Sequence, residues 1–321
     1  MRVGDLELRP ATLDDATFSA DLRTAVRPND AEDPASELHS WRIESIDNVI
    51  ERWIALHDGR PVGKVSQRHV PWDKMPERYA SVSAELLPEV RTAARFDALL
   101  AHAEERARAA GAKILTIWVW EDDRLLLDVV TARGFVEERR ERFWECDLVT
   151  NRDRIEKMTD VSRRRMRELG FEILTLAQDR DPERYRKIWR MSEEAESDIP
   201  TTVPHTETSW ELFTEWMREP GLREDRQWIA RRGDDIVGIS QLSYPPTRGV
   251  VETDWTGTAR AVRGQGVARA LKCETVMQAI ALGVDRVRTD NDGENAPILH
   301  LNESMGYVRR ADMIQLLKKG A

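Results

Sequence analysis

Two tandem α/β domains, each a sheet flanked by helices, are what this sequence predicts, and three observations carry the reading. The chain has 321 residues, enough for two separate cores. One hairpin pattern occurs twice: Trp53-Ile54-Ala55 leads through Asp58-Gly59-Arg60 to Val62-Gly63, and Trp228-Ile229-Ala230 leads through Gly233-Asp234-Asp235 to Val237-Gly238. Beyond the hairpins a constant spacing of 172 residues relates Arg91 to Arg263, Gly111 to Gly283 and Gly134 to Gly306, with Leu99 falling on Leu271. Agreement without a gap marks a tandem duplication. The expected division is 1-150 for the first copy, 151-170 for a linker helix and 171-321 for the second copy.

Composition narrows the class. Hydrophobic residues make up 40% and charged residues 33%, as in a globular protein rather than a disordered one. A net charge of −9 argues against a general nucleic-acid partner. No apolar run approaches the roughly 18 residues of a membrane span. Asp5 stands where a signal peptide would have its apolar segment. With only two cysteines, Cys146 and Cys273, a disulfide framework is excluded. A cytoplasmic protein is the expectation.

In order, Leu6-Glu7-Leu8-Arg9 alternates as a strand, and a helix is expected from Asp14-Asp15 with its acidic first turn. Residues 28–36, rich in Pro, Asp and Ala, read as a loop. The basic stretch Arg154 to Leu169 has a helical pattern and bridges the copies. In the second copy Val250 to Thr258 reads as a strand, followed by the turn Arg263-Gly264-Gln265-Gly266-Val267-Ala268 and a long helix. Cys273 lies with Ala270, Met277 and Ile280 on the core face of that helix. A short strand, Arg286 to Thr289, comes next, then Asn295, Asn302 and Met305-Gly306-Tyr307.

Gly264 and Gly266 let a ligand approach the backbone, and the helix that starts there presents free N–H groups and its positive end. An anion is expected in that turn. A dinucleotide fingerprint would need a third glycine, where Arg269 stands, and an acid ending the next strand, where Thr289 stands. The alternative pattern Arg/Gln-x-x-Gly-x-Gly/Ala is met by Arg263, Gly266 and Ala268.

With its flanking strand, its helix, Asn295 and the terminal Met-Gly-Tyr, this segment resembles the GNAT family of N-acetyltransferases over roughly residues 171–318. The tandem plan resembles the mycothiol synthase branch of that family. The resemblance implies domains with a mixed, mostly antiparallel central sheet flanked by helices. It implies acetyl-CoA as co-substrate and no metal. Contacts to that co-substrate are then expected from Thr256, Thr258, Arg263, Gly264, Gln265, Gly266, Val267, Ala268, Asn295 and Asn302. Thr258 falls near the backbone donor for the acetyl carbonyl, with Gly257 permitting a bulge.

Acetyl transfer to an amine needs a base, an oxyanion donor and departure of a thiolate. Glu252 resembles the position of the family's glutamate base, and Asp254 shares its face by the two-residue period. Both also fit the solvent face of an edge strand. Asn302 stands where many members carry a tyrosine acid, and asparagine cannot protonate a thiolate. Tyr307, Tyr244, water or an unprotonated departure remain as alternatives. Asn295, before Ala296-Pro297, fits a helix N-cap as well as a cofactor contact. Four acids between Glu193 and Asp198, followed by His205, Trp210 and Trp216, suit a small cationic amine, or simply a solvated helix face. None of the histidines shows metal-ligand spacing.

The copies differ where cofactor chemistry would need agreement. Ala94 and Phe96 replace Gly266 and Ala268, while Ala80, Val82 and Asp123 replace Glu252, Asp254 and Asn295. The first copy therefore reads as architectural. The expected function is N-acetyl transfer from acetyl-CoA to a primary amine of a small molecule in the second copy. A non-catalytic acyl-CoA-binding or regulatory protein is the rival, motivated by the missing tyrosine.

Overall fold

The computed structural model describes residues 1–320. The first copy contains β1 (Arg2–Val3), β2 (Leu6–Pro10), α1 (Ala16–Val26), α2 (Pro34–Ile43), β3 (Val49–His57) and β4 (Arg60–His69). It continues with β5 (Tyr79–Leu86), α3 (Ala93–Ala109), β6 (Ile114–Trp120), α4 (Arg124–Ala132) and β7 (Val136–Asp147). After α5 (Arg152–Glu168) the plan repeats as β8 (Glu172–Thr175), α6 (Arg184–Glu196), α7 (Trp210–Trp216), β9 (Gln227–Arg232) and β10 (Asp235–Ser243). The remainder is β11 (Val251–Thr258), α8 (Val267–Ala281), β12 (Arg286–Asp292), α9 (Ala296–Met305), β13 (Val308–Arg309) and β14 (Met313–Lys319). The spacing of 172 carries both ends of β5 onto β11 and both ends of β6 onto β12.

All strands join one sheet in the order β1-β2-β3-β4-β5-β6-β14-β7-β12-β11-β10-β9-β8, with β13 pairing β7 off that path. Pairing is antiparallel except at β5–β6 and β11–β12, which a crossover helix separates in each copy. The last strands are exchanged. β14, at the end of the second copy, lies between β6 and β7, and β7, at the end of the first, pairs with β12. The cores follow: Ile314 and Leu316 pack with Leu115, Ile117 and Phe135, while Trp144 and Cys146 pack with Val287 and Tyr307. The segments 1-150 and 171-321 thus do not close as separate sheets.

Helix α5 does more than connect. Ile155, Thr159, Ser162 and Met166 are buried at 4-3-4 spacing, so one face packs on α8, and Arg163 forks onto Glu274 with two 2.7 Å bonds. Two local expectations need correction. A 3₁₀ turn over Leu13–Asp15 precedes α1, because the Asp15 carboxylate is held back by Arg9 and the Thr12 amide. The loop after Pro28 ends at Asp33, which caps α2 by accepting from Ala35 N at 2.8 Å and Ser36 N at 3.2 Å. The other Asp33 oxygen accepts from Thr247 N and Arg248 N, which ties the two copies together.

Candidate active site

Strands β11 and β12 pair only at Val251–Val287 and Glu252–Arg288 and then diverge. From Thr253 onward the backbone edge of β11 faces a cavity of about 1190 Å³ rather than a partner strand. A ligand lying between the strands would find backbone donors and acceptors there. Opposite β10, the register passes from Gln241–Trp255 to Leu242–Thr253, so Asp254 is the extra residue of a β-bulge. The sequence had suggested a bulge at Gly257. That glycine has another reason to exist, since a Cβ there would stand 2.9 Å from the Trp255 ring.

The cavity runs to the turn before α8. Gly264 at φ +75° and Gly266 at φ +92° take backbone conformations that a side chain would strain. No side chain caps α8, so its first amides are free for an anion. The first copy has closed the same feature. Thr92 caps α3 through the Arg95 amide at 3.2 Å, and Arg91, the counterpart of Arg263, is bound to Asp123, the counterpart of Asn295. Asn295 occupies the N-cap position of α9 but makes no capping bond and lines the cavity. Arg263 itself is engaged: Asp198, on the α6–α7 loop, accepts from Arg263 at 2.7 Å and from Arg260 at 2.6 Å. Those cations hold the Asp198 carboxyl down at about 2.

A second cavity of about 740 Å³ lies between the copies and meets the first at Thr253, Asp254 and Asp290. Trp120 and Phe143 from the first copy and Phe213 and Trp216 from the second give it apolar walls. Glu252 is reached by solvent through this cleft, yet protein surrounds it on most sides. That surrounding, with the negative charges of Asp290 and Glu32, pushes its carboxyl up to about 7. Burial likewise raises Asp254 to about 6 against the opposing 2.6 Å bond from Gln241, and raises Glu196 to about 7 with help from Glu193. On β7, burial and Asp290 lift Glu141 to about 8. Glu193, Glu196 and His205 bring ligand-type atoms within 4.8 Å of one another, a grouping that sequence spacing did not show.

Of the residues nominated from sequence, Asp254, Thr256, Thr258, Arg263, Gly264, Gly266, Val267, Ala268 and Asn295 line the larger cavity. Glu252 and Asp254 both line the smaller one, the bulge notwithstanding. The Gln265 side chain turns back to Ala261 O at 3.1 Å, and Asn302 is fully buried behind Lys272. Tyr307 is buried and Tyr244 half-buried, both hydroxyls are enclosed without a partner, and neither residue lines a cavity. Sequence reasoning missed Arg165 of α5, whose Nε donates to Gln265 O at 2.8 Å and which lines the cavity beside Gly266. It also missed Lys272. The contribution of β7 and β14, through Arg139, Glu141 and Gln315, had no local signal because it arises from the strand exchange. Strand β12 reaches Asp292, so an acid does end it. Arg269 and the antiparallel β10–β11 pair still exclude the dinucleotide fold.

Residues 186–307 match the model of the Acetyltransferase (GNAT) family, so the second copy carries a GNAT domain. No curated protein matches the chain. Among solved structures, it is similar to a tandem GNAT protein from the clavulanic acid biosynthesis pathway, with TM-score 0.72, 18% identity and coverage of 98% of this chain and 99% of that one. It is also similar to a GCN5-related N-acetyltransferase from Sphaerobacter thermophilus, with TM-score 0.64, 18% identity and coverage of 99% and 98%. A glucosamine N-acetyltransferase region of a fungal multi-domain β-N-acetylglucosaminidase gives TM-score 0.68 at 14% identity, covering 97% of this chain and 38% of that one. The fold is that of two tandem GNAT-like domains, the matched family is one of acyltransferases, and the fold suits an acyl-CoA with an acceptor. Among the described residues no helix is long and apolar enough to cross a membrane.

Proposed function

We propose that the protein transfers an acetyl group from acetyl-CoA to a primary amine of a small, cationic molecule, with the active site in the second copy. The observation that carries this is the meeting of the two cavities. One leads from the uncapped α8 amides along the splayed edge of β11, and the other holds a carboxylate with its pKa near neutrality. The pyrophosphate would lie on Gly264, Gly266 and the α8 amides, with Arg263 and Arg165 beside it. The pantetheine arm would follow β11 toward the bulge at Asp254. A backbone N–H of the splayed edge would then donate to the carbonyl oxygen as it gains charge.

Glu252 is the base in this reading. A carboxylate raised toward neutrality takes the amine proton more readily than an ordinary glutamate. The acceptor class follows from unbalanced charge. Acids outnumber arginines along the lining of the cleft, and burial first, with neighbouring acids adding to it, pushes Glu32, Glu196, Glu252 and Asp254 upward. A cationic ligand with an apolar body would relieve that field against the four aromatic walls. The test is release of CoA from acetyl-CoA in the presence of a panel of diamines, amino sugars and amino-acid derivatives. Turnover with cationic amines is expected. Tight CoA binding with no turnover on any amine would favour the non-catalytic reading.

A further inference from the structure

Lys272 is 1% exposed, yet among the described residues it has no ion-pair partner. A buried ammonium without a counter-charge is destabilising, so its presence needs a reason. Its Nζ donates to Asn302 Oδ1 at 2.7 Å and faces Thr289 Oγ1 at 3.5 Å. Asn302 is held in that orientation by its own Nδ2, which donates to Asn291 Oδ1 at 2.6 Å. Two acceptors serve three N–H bonds, and Lys272 lines the larger cavity with Thr289, Asp290 and Leu301. Nζ also lies 5.1 Å from the centre of the Tyr307 ring.

The duplication supplies a control inside the same molecule. Subtracting 172 places Lys272 on Leu100, Thr289 on Ile117, Asn291 on Val119 and Asn302 on Val130. Those four are 0%, 1%, 1% and 0% exposed. The fold therefore accepts an apolar quartet at these positions. The polar quartet occurs only in the copy that keeps the glycine turn and a free α8 N-terminus. Packing does not require it, so a ligand is the remaining reason for it.

We propose that Lys272, held by Asn302, is the cation that stabilises the departing CoA thiolate and gives it a proton. This rests on the acyl-CoA reading of the site. When the amine nitrogen bonds to the carbonyl carbon, its proton passes to Glu252. The C–S bond then breaks, sulfur keeps the electron pair and takes a proton from Nζ, and the neutral lysine recovers one from solvent. The net change is acetyl-CoA plus amine to amide plus CoA. Asn302 then has a purpose at a position where it cannot itself donate to sulfur: its carbonyl holds the donor. Burial draws Lys272 down to about 7; Asp290 on β12, Cys146 on β7 and Cys273 on α8 oppose that shift. An ordinary thiol titrates near 8.5, close enough to this lysine for a proton to pass from Nζ to sulfur as the C–S bond breaks.

The experiment needs no acceptor. CoA is bound to the full-length protein, and its thiol is titrated by the ultraviolet absorbance of the thiolate. In the wild type the bound thiol should titrate at least about one unit below free CoA. Lys272→Met should remove that shift while calorimetry still finds CoA bound, since the counterpart Leu100 shows that the position takes an apolar side chain. Asn302→Asp, which sets a carboxylate against Nζ, should also remove most of it. An equal thiol pKa in the wild type and both variants, with CoA bound to each, overturns the role of Lys272 alone. Failure of the wild type to bind CoA overturns the reading of the site and this proposal with it.

Discussion

Removing the last strand should unfold the half of the protein that lies farthest from it in sequence. β14 matches seven residues with β6 and five with β7, and it buries Ile314, Leu316 and Leu317. Full burial of such a side chain contributes about 1.5–3 kcal/mol, so the three together supply roughly 5–9 kcal/mol. That is comparable to the whole stability of an ordinary domain, about 5–15 kcal/mol. A chain ending at residue 311, or a fragment of residues 1–150, should therefore lack cooperative unfolding in urea. A milder probe is Leu316→Ala. Leu316 is 3% exposed within the core of the first copy, and such truncations cost about 2–5 kcal/mol. Far-UV circular dichroism and tryptophan fluorescence should report one coincident transition at lower urea, because the exchanged strands couple the halves. A 1–150 fragment as stable as the intact chain, or two separate transitions in Leu316→Ala, would refute the reasoning.

Two further perturbations concern chemistry. Glu252→Gln should lower kcat by about 10²–10⁴-fold with acetyl-CoA affinity nearly unchanged, and should remove an acidic limb near pH 7. The sign follows from the mechanism: the raised carboxyl must ionise before it can accept a proton, so activity rises through that pH in the wild type. Asp254→Asn, made in parallel, separates the two carboxylates; near-normal kcat and an unchanged profile in Glu252→Gln would reassign the base. Asp198→Ala should tighten acetyl-CoA binding by no more than about five-fold in calorimetry, by freeing Arg263 from a solvent-exposed pair. Weaker binding in that variant would show instead that Asp198 holds Arg263 in place for the phosphates.

Much of the fold was legible because duplication converts weak local signals into paired ones. The strand, glycine turn and helix around Gly266 form where the residue types place them, and the 172-residue spacing aligns β5 with β11 and β6 with β12. The strand exchange left no trace for a physical reason. The same spacing lays Met313–Lys319 over residues 141–147, and a ladder of backbone hydrogen bonds does not encode which of two equivalent slots a strand fills. The bulge at Asp254 was misplaced to Gly257 because register depends on a partner strand rather than on glycine alone. Lys272 was within reach of the sequence, since the comparison that exposed Ala94 against Gly266 also sets Leu100 against Lys272. Arg165 and the wall from the first copy are products of tertiary packing, and no local pattern marks them.

The central claim is that one acyl-CoA site exists per chain, at the turn before α8. Titration of acetyl-CoA into the intact protein by calorimetry tests it most directly. One site per chain is expected, abolished in Gly266→Trp and retained in Ala94→Trp, because Ala94 is exposed on a helix start already capped by Thr92. A side chain at the φ of +92° of Gly266 adds strain of about 1–3 kcal/mol, so a thermal melt of that variant accompanies the titration. Two sites per chain, or binding lost in Ala94→Trp and kept in a folded Gly266→Trp, would contradict the account.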